Sequence, residues 1–202
     1  LKWQLGYDVN WELNAGERIA NGEKEILDAA LYGSAEFKPG TNFSLKPGLR
    51  YAYNSRFEAP LISSLALRWE MDSNWVFRAS YGRGFRAPSL KELYFLFVDE
   101  NHNILGNEEL RAETSNNYQI AWQYQHLGQW NWSLDVRFFF NDLQNEIRLV
   151  SVIEPDDNEP RGLYRNENIA RSQNTGFNLS SRLEYAQWSA EAGAAFIGLK
   201  NN

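Results

Sequence analysis

The chain has 202 residues, enough for one large domain or two small ones, with 43% hydrophobic and 23% charged residues and a formal net charge of −6. That balance speaks against a nucleic-acid partner, which needs a clustered basic surface, and the absence of Cys excludes disulfide frameworks, thiolate nucleophiles and Cys-based zinc sites. The informative figures are 15% aromatic residues, 8 Trp and 10 Tyr, an enrichment that points to interfaces or membrane girdles.

The first segment sets the class. Leu1, Trp3, Leu5, Tyr7, Val9, Trp11 and Leu13 alternate with Lys2, Gln4, Gly6, Asp8, Asn10 and Glu12, which is the period of a strand with one apolar face. The same alternation returns in about nine segments, at residues 1–14, 26–37, 43–54, 61–71, 75–83, 114–126, 130–152, 172–185 and 188–199. None has a helical period. The longest apolar run, around Leu93 to Val98, is far shorter than the roughly 20 residues of a membrane-crossing helix.

The connections alternate in length. Short ones fall at 38–42, 72–74, 127–129 and 186–187, long ones at 15–25, 55–60, 84–112 and 153–169. Short turns at one end and long loops at the other are the layout of an outer-membrane β-barrel. The apolar parity carries almost no charge: none at 27–37 odd, 61–71 odd, 75–81 odd, 130–140 even, 175–185 odd or 188–198 even, with His126 the exception in the sixth segment. Lipid demands such a face, since a Lys or Arg at the bilayer midplane costs about 2–4 kcal/mol, but a soluble β-sandwich core demands it too. The Trp residues separate the two. All lie on the apolar parity, and most flank the short turns: Trp69 and Trp75, Trp122 with Trp130 and Trp132, and Trp188 opposite Tyr185. A girdle of indoles at one level belongs at a membrane interface, whereas a sandwich scatters its Trp through the core. The opposite parity, with Asn117, Gln119, Gln123, Gln125, Asn131, Ser133, Asp135 and Arg137, predicts a wet lumen.

Pro47 lies inside the third segment and cannot donate to a ladder, so a bulge or a late strand start is expected at Lys46 to Gly48. Single-chain bacterial barrels have even strand numbers and close on themselves. An odd count, in a chain that opens mid-pattern and stops at Lys200-Asn201-Asn202, predicts an interior fragment: an open, curved antiparallel sheet of about nine strands, all-β, with unpaired outer edges.

The stretch from Ala79 to Tyr94, with Gly84-Phe85-Arg86-Ala87-Pro88 at its centre, followed by Gly106-Asn107 and Leu110 to Ser115, resembles the TonB-dependent outer-membrane receptors. In that family a strand ends in Gly-Phe-Arg-Ala-Pro and enters an external loop that returns through an Asn-Pro-(Asn/Asp)-Leu box and a Glu before the next strand. Gly84, Phe85, Arg86, Ala87 and Pro88 match fully; the second box matches at Asn107 and Leu110 and departs at Glu108 and Glu109. Phe138 to Ile147 and Asn168 to Phe177 resemble the next two strands, so motifs cover about residues 75–200. The resemblance implies a barrel of about 22 strands around an N-terminal plug. It implies uptake of a scarce ligand, of the ferric siderophore, haem or cobalamin type, across the outer membrane of a Gram-negative-type bacterium with energy from TonB. On this reading residues 1–202 are part of one barrel domain, with plug, TonB contact and closing strands elsewhere. The partners are outer-membrane lipid and lipopolysaccharide, the TonB complex and a small metal chelate. Haem or a ferric chelate is cargo, and no resident cofactor is expected.

Several loop residues are candidate ligand contacts. Arg83 and Arg86, next to Tyr81, Phe85 and Tyr94, suit an anionic chelate, while the alternative for Arg86 is a structural contact with lumen or plug. Pro88 suits the first turn of a short helix containing Ser89, Lys91 and Glu92. Haem receptors of the family place an axial His in the loop between the two boxes, where His102 lies; the alternative is a solvated loop residue. In the acidic run from Glu154 to Pro160, Asp156 and Asp157 are candidates for a divalent cation, or simply a solvated loop. No carboxylate pair sits at a rigid spacing, so no hydrolase site is expected. Competing functions are a passive porin or adhesive barrel, which lacks the Gly-Phe-Arg-Ala-Pro loop, and a soluble β-sandwich binding module.

Overall fold

Period-two alternation becomes nine long strands in a computed structural model that describes residues 1–155 and 161–201. In chain order these are β1 (Lys2–Asn14), β2 (Lys24–Glu36), β3 (Phe43–Asn54), β4 (Ile62–Glu70) and β5 (Trp75–Arg86), then β8 (Glu113–His126), β9 (Trp130–Ile153), β10 (Leu163–Tyr185) and β11 (Trp188–Asn201). Between β5 and β8 lie a helix, α1 (Leu90–Tyr94), and two three-residue strands, β6 (Leu96–Val98) and β7 (Asn103–Leu105). The described residues form one open antiparallel sheet in the order β1-β2-β3-β4-β5-β8-β9-β10. β11 pairs with the lower part of β10, and β7 pairs, in parallel, with its upper part at Tyr164 and Arg165. No second sheet covers either face among the described residues, which removes the sandwich reading.

The register puts the two parities on two faces. One outward rung reads Phe77, Trp122, Val136, Leu179 and Ala194 across five strands. Aromatic pairs knit this face together: Trp75 with Tyr124 at 4.8 Å between centroids, Phe77 with Trp122 at 5.1 Å, Tyr124 with Trp132 at 5.0 Å and Trp130 with Tyr185 at 4.1 Å. On β9 the outward residues stay apolar from Trp130 to Phe140, which at about 3.4 Å per residue and a 45° tilt spans about 24 Å of membrane normal, the height of an apolar band. The other parity is concave and wet. Arg50 of β3 forms an ion pair with Asp8 of β1 across β2, Asn54 Nδ2 donates to Asp28 at 2.7 Å and Gln123 Nε2 to Asp135 at 2.7 Å.

Two expectations need correction. Pro47 causes neither a bulge nor a late start: β3 begins at Phe43 and Pro47 pairs with Leu65 of β4 in unbroken register. Leu45 exchanges both backbone hydrogen bonds with Phe37 on the β2 side, so Pro47, two residues on, turns its missing N–H the same way. The β2–β3 ladder runs continuously only as far as Ser34 and Gly48, and the proline occupies the gap. The second correction concerns β10, which starts at Leu163 rather than near 172 and pairs with β9 up to Ile153. The hairpin therefore rises well above the end of β8.

Candidate functional site

The segments above the band fold into a cap over the polar face. Its buried apolar cluster is Ile26, Leu90, Leu93, Tyr94, Leu110 and Ile147, with Ile19, Ala20 and Phe57 packed against it. Leu90 and Leu93 sit at i and i+3 on α1, so a single turn presents both to the interior. Ser89 is the N-cap of that turn, and a reciprocal capping box links it with Glu92; Pro88 therefore precedes the cap residue instead of occupying the first turn. The loop between β1 and β2 is stitched on by backbone bonds from Ala20 N to Tyr94 O (2.8 Å) and from Leu96 N to Arg18 O (2.9 Å). Gly106 passes so close to α1 that a Cβ there would lie 2.5 Å from Leu93 O.

Arg86 is the charge centre of the cap. Its Nε and Nη2 donate to Glu113 at 2.7 and 2.8 Å, and its Nη1 donates to Glu92 at 3.1 and 2.9 Å. Glu113 also accepts the N–H of Ile147 at 2.7 Å. One guanidinium thus ties the end of β5, helix α1 and the start of β8, and through Glu113 it reaches β9. The two glutamates raise the Arg86 pKa further above its usual value, Glu113 contributing most. Burial pushes both carboxyls up, but hydrogen bonds from Arg86, together with Ser89 at Glu92 and the Ile147 N–H at Glu113, outweigh it and leave both lower than an ordinary glutamate.

Two asparagines close the cap onto the β9–β10 hairpin. Asn107 is buried; its Nδ2 donates to Asn166 O at 2.9 Å and its Oδ1 accepts from Glu109 N at 3.0 Å. Asn168 Oδ1 accepts from Arg111 N at 2.8 Å, while its Nδ2 donates to Arg111 O at 3.0 Å and Asn145 O at 2.7 Å. Asn145 has φ +55°, in the left-handed region that Asn tolerates, where β9 leaves β8 and continues with β10 alone.

The structure separates the ligand candidates. Arg86 directs its guanidinium at Glu92 and Glu113 within the cap. Tyr94 is 5% exposed, its hydroxyl accepts from Arg56 Nη1 at 2.6 Å, and the Lys24 ammonium lies 4.7 Å from its ring centroid, so it is a core residue and is withdrawn from the outer surface. Arg83 pairs with Asn116 on the outward parity, one rung above Tyr81, and faces away from the lumen. His102 lies at the tip of the β6–β7 hairpin, half-exposed and stacked on Phe97 at 4.6 Å, with Arg18 4.7 Å from the same ring. His102 Nδ1 lies 3.0 Å from Asp99 Oδ1. Asp99 is held below the ordinary carboxylate range by the Asn101 N–H first and by His102 next. Asp156 and Asp157 lie outside the described residues. Sequence reasoning missed the purpose of Asn168, although its distance from the Asn107 box was visible. Beneath the cap, a cavity of about 480 Å³ is lined by Asp8, Asp28, Arg50, Asn54, Arg86 and Ser89 among others.

A lipid-facing aromatic band, a polar concave face and a folded external cap define the wall of an outer-membrane β-barrel. The family profile described as TonB dependent receptor-like, beta-barrel matches residues 3–201, and the chain belongs to that family of transport receptors. Among solved structures, the siderophore receptor PirA from Pseudomonas aeruginosa aligns over 97% of this chain and 42% of that one at 20% identity and TM-score 0.73. A ferric enterobactin receptor mutant from the same species, solved in complex with enterobactin, aligns over 96% and 33% at 19% identity and TM-score 0.75. In sequence, the chain is 32% identical over 117 residues to hemoglobin and hemoglobin-haptoglobin-binding protein B of Haemophilus influenzae, covering 55% of this chain and 11% of that protein. It is 30% identical over 146 residues to ferric enterobactin receptor PirA of P. aeruginosa, covering 66% and 19%. The chain thus spans a tenth to a fifth of the length of these curated relatives.

Proposed function

We propose that these residues form part of the barrel wall and external cap of a receptor that carries an iron-bearing ligand, a ferric siderophore or haem, inward with energy supplied through TonB. Plug, TonB contact and closing strands belong, on this reading, to the remainder of the receptor. The observation that supports it most is the cap itself. Arg86, Glu92, Glu113, Asn107 and Asn168 spend their polar atoms in fixing loops above a polar lumen, which suits a receptor with a preformed mouth better than an open pore. The relatives named for ferric enterobactin and for hemoglobin define the two ligand classes to test.

Geometry favours one finer reading on the haem side. If Nδ1 of His102 donates to Asp99, the lone pair of Nε2 is left for a metal, the arrangement in which a carboxylate orients a ligating imidazole. Growth of an iron-starved deletion strain carrying the full-length gene, on hemoglobin or on ferric enterobactin as sole iron source, tests the proposal. Rescue on at least one source is expected, and rescue on neither contradicts it. His102→Ala should abolish growth on hemoglobin alone if haem is the cargo.

A further inference from the structure

We propose that Asn21 and Gly22, in the turn that leads into β2, form a site of spontaneous deamidation whose conversion releases the β1–β2 loop from α1. The pair is the single Asn-Gly step of the sequence. Both residues are exposed, Asn21 adopts φ +59° and Gly22 φ +83°, and a Cβ built at Gly22 would meet nothing within 4 Å. The attacking nitrogen of Gly22 therefore has open space around it and no side chain of its own to shield it. Its N–H donates to Ile19 O at 3.3 Å, longer than an ordinary N–H···O bond, so little resists the rotation about the Asn21 Cα–C bond that attack requires. The Asn21 carboxamide makes no hydrogen bond among the described residues.

Asn54, followed by the small Ser55, is the contrasting case. Its Oδ1 accepts from Arg56 N and Phe57 N, both at 2.9 Å, its Nδ2 donates to Asp28 at 2.7 Å, and the residue is 6% exposed. At Asn21 nothing holds the carboxamide away from the next nitrogen. The Gly22 nitrogen, giving its proton to hydroxide, attacks Cγ of Asn21; the N–Cγ bond forms, the Cγ–Nδ2 bond breaks, and ammonia leaves with a proton from water. Water then opens the five-membered imide at either carbonyl, which leaves aspartate or isoaspartate at position 21. The net change is one water in and one ammonia out. Isoaspartate lengthens the main chain by one methylene between two attachments to Tyr94: Ala20 N donates to Tyr94 O at 2.8 Å, and the Lys24 ammonium lies 4.7 Å from the Tyr94 ring centroid. Either product also places a carboxylate beside Glu23 and Glu25. Both changes loosen the loop where it is stitched to the cap.

The test incubates the full-length receptor, folded in detergent and unfolded in urea, in mildly alkaline water labelled with heavy oxygen. Peptide mass spectrometry follows the conversion, with electron-transfer fragmentation to tell isoaspartate from aspartate. Position 21 of the folded receptor should convert at least about tenfold faster than position 54, and within about threefold of its own rate in the unfolded chain. Amide exchange at Ala20 and Leu96 should quicken in the converted fraction, while the β8–β9 ladder keeps its protection. N21G, which keeps the left-handed turn and has no carboxamide, should show unchanged exchange at both amides over the same incubation. A folded rate about tenfold or more below the unfolded rate, equal conversion at positions 21 and 54, or unchanged Ala20 exchange after conversion would overturn the proposal. No cargo enters the measurement, so its outcome is independent of the transport reading.

Discussion

The wall and the cap solve opposite problems with one chain. In the wall, from Trp3 to Phe196, the large apolar side chains point outward and many of them are exposed, as on the outer surface of a membrane barrel; among the described residues, Ala30 and Ala121 are the hydrophobic residues of these strands that are buried outside the cap cluster. In the cap, six residues from four distant segments bury one another as in a small soluble core. The wall is stabilised by its ladder and its solvent, the cap by packing, a capping box and a three-way charge node. A change that harms one should leave the other nearly intact.

That separation can be attacked from both sides. Leu90, at 0% exposure, is the centre of the cap, so Leu90→Ala should cost about 2–5 kcal/mol of local stability. Limited proteolysis of the full-length receptor should then cut between Gly84 and Ala112, while the barrel keeps its resistance to unfolding in detergent. Conversely, Phe138→Arg places a cation on the lipid face in mid-band and should cost about 2–4 kcal/mol of barrel stability. Refolding titrations into bilayers measure that cost, and the cap should show normal protease resistance in the molecules that do fold. Ser89→Ala removes half of the capping box and should cost about 1 kcal/mol, read as faster amide exchange across α1 alone.

The smallest effect is in pH. Glu92 and Glu113 have depressed folded pKa values, so what they contribute is present above the ordinary glutamate value, about 4.3, and lost as pH falls through the depressed values. Exchange protection of the cap should be flat from neutral pH to about 4.5 and fall below that, and Arg86→Gln should flatten the acid limb.

The wall was legible because lipid imposes one rule on every strand: alternate, and keep one parity uncharged. Where the chain leaves lipid the rule lapses. The upper part of β10, Leu163 to Arg171, runs Leu-Tyr-Arg-Asn-Glu-Asn-Ile-Ala-Arg and has no apolar parity, since both of its faces are wet, yet it pairs with β9 as a continued hairpin. β6 and β7 are too short to show a period. The cap was legible only as a motif. Gly84 to Pro88 and Asn107 marked the place, but the partners of Arg86 are set by the fold bringing residues 86, 92 and 113 together, and the buried position of Tyr94 depends on Arg56 from the β3–β4 loop and Lys24 at the start of β2. Arg83 and Arg86 look equivalent in sequence and differ by three positions, which in a strand is the difference between lipid face and lumen face.

The most direct test of this division is a nitroxide scan of β9 from Leu134 to Glu146 in the full-length receptor reconstituted in bilayers, one Cys at a time. Accessibility to oxygen dissolved in lipid should alternate, high at even positions through Phe140, and should vanish from Asp142 upward, where the outward column of β9 turns polar and the cap takes over. Accessibility without a period of two, or alternating lipid contact that continues through Glu146, would contradict the account.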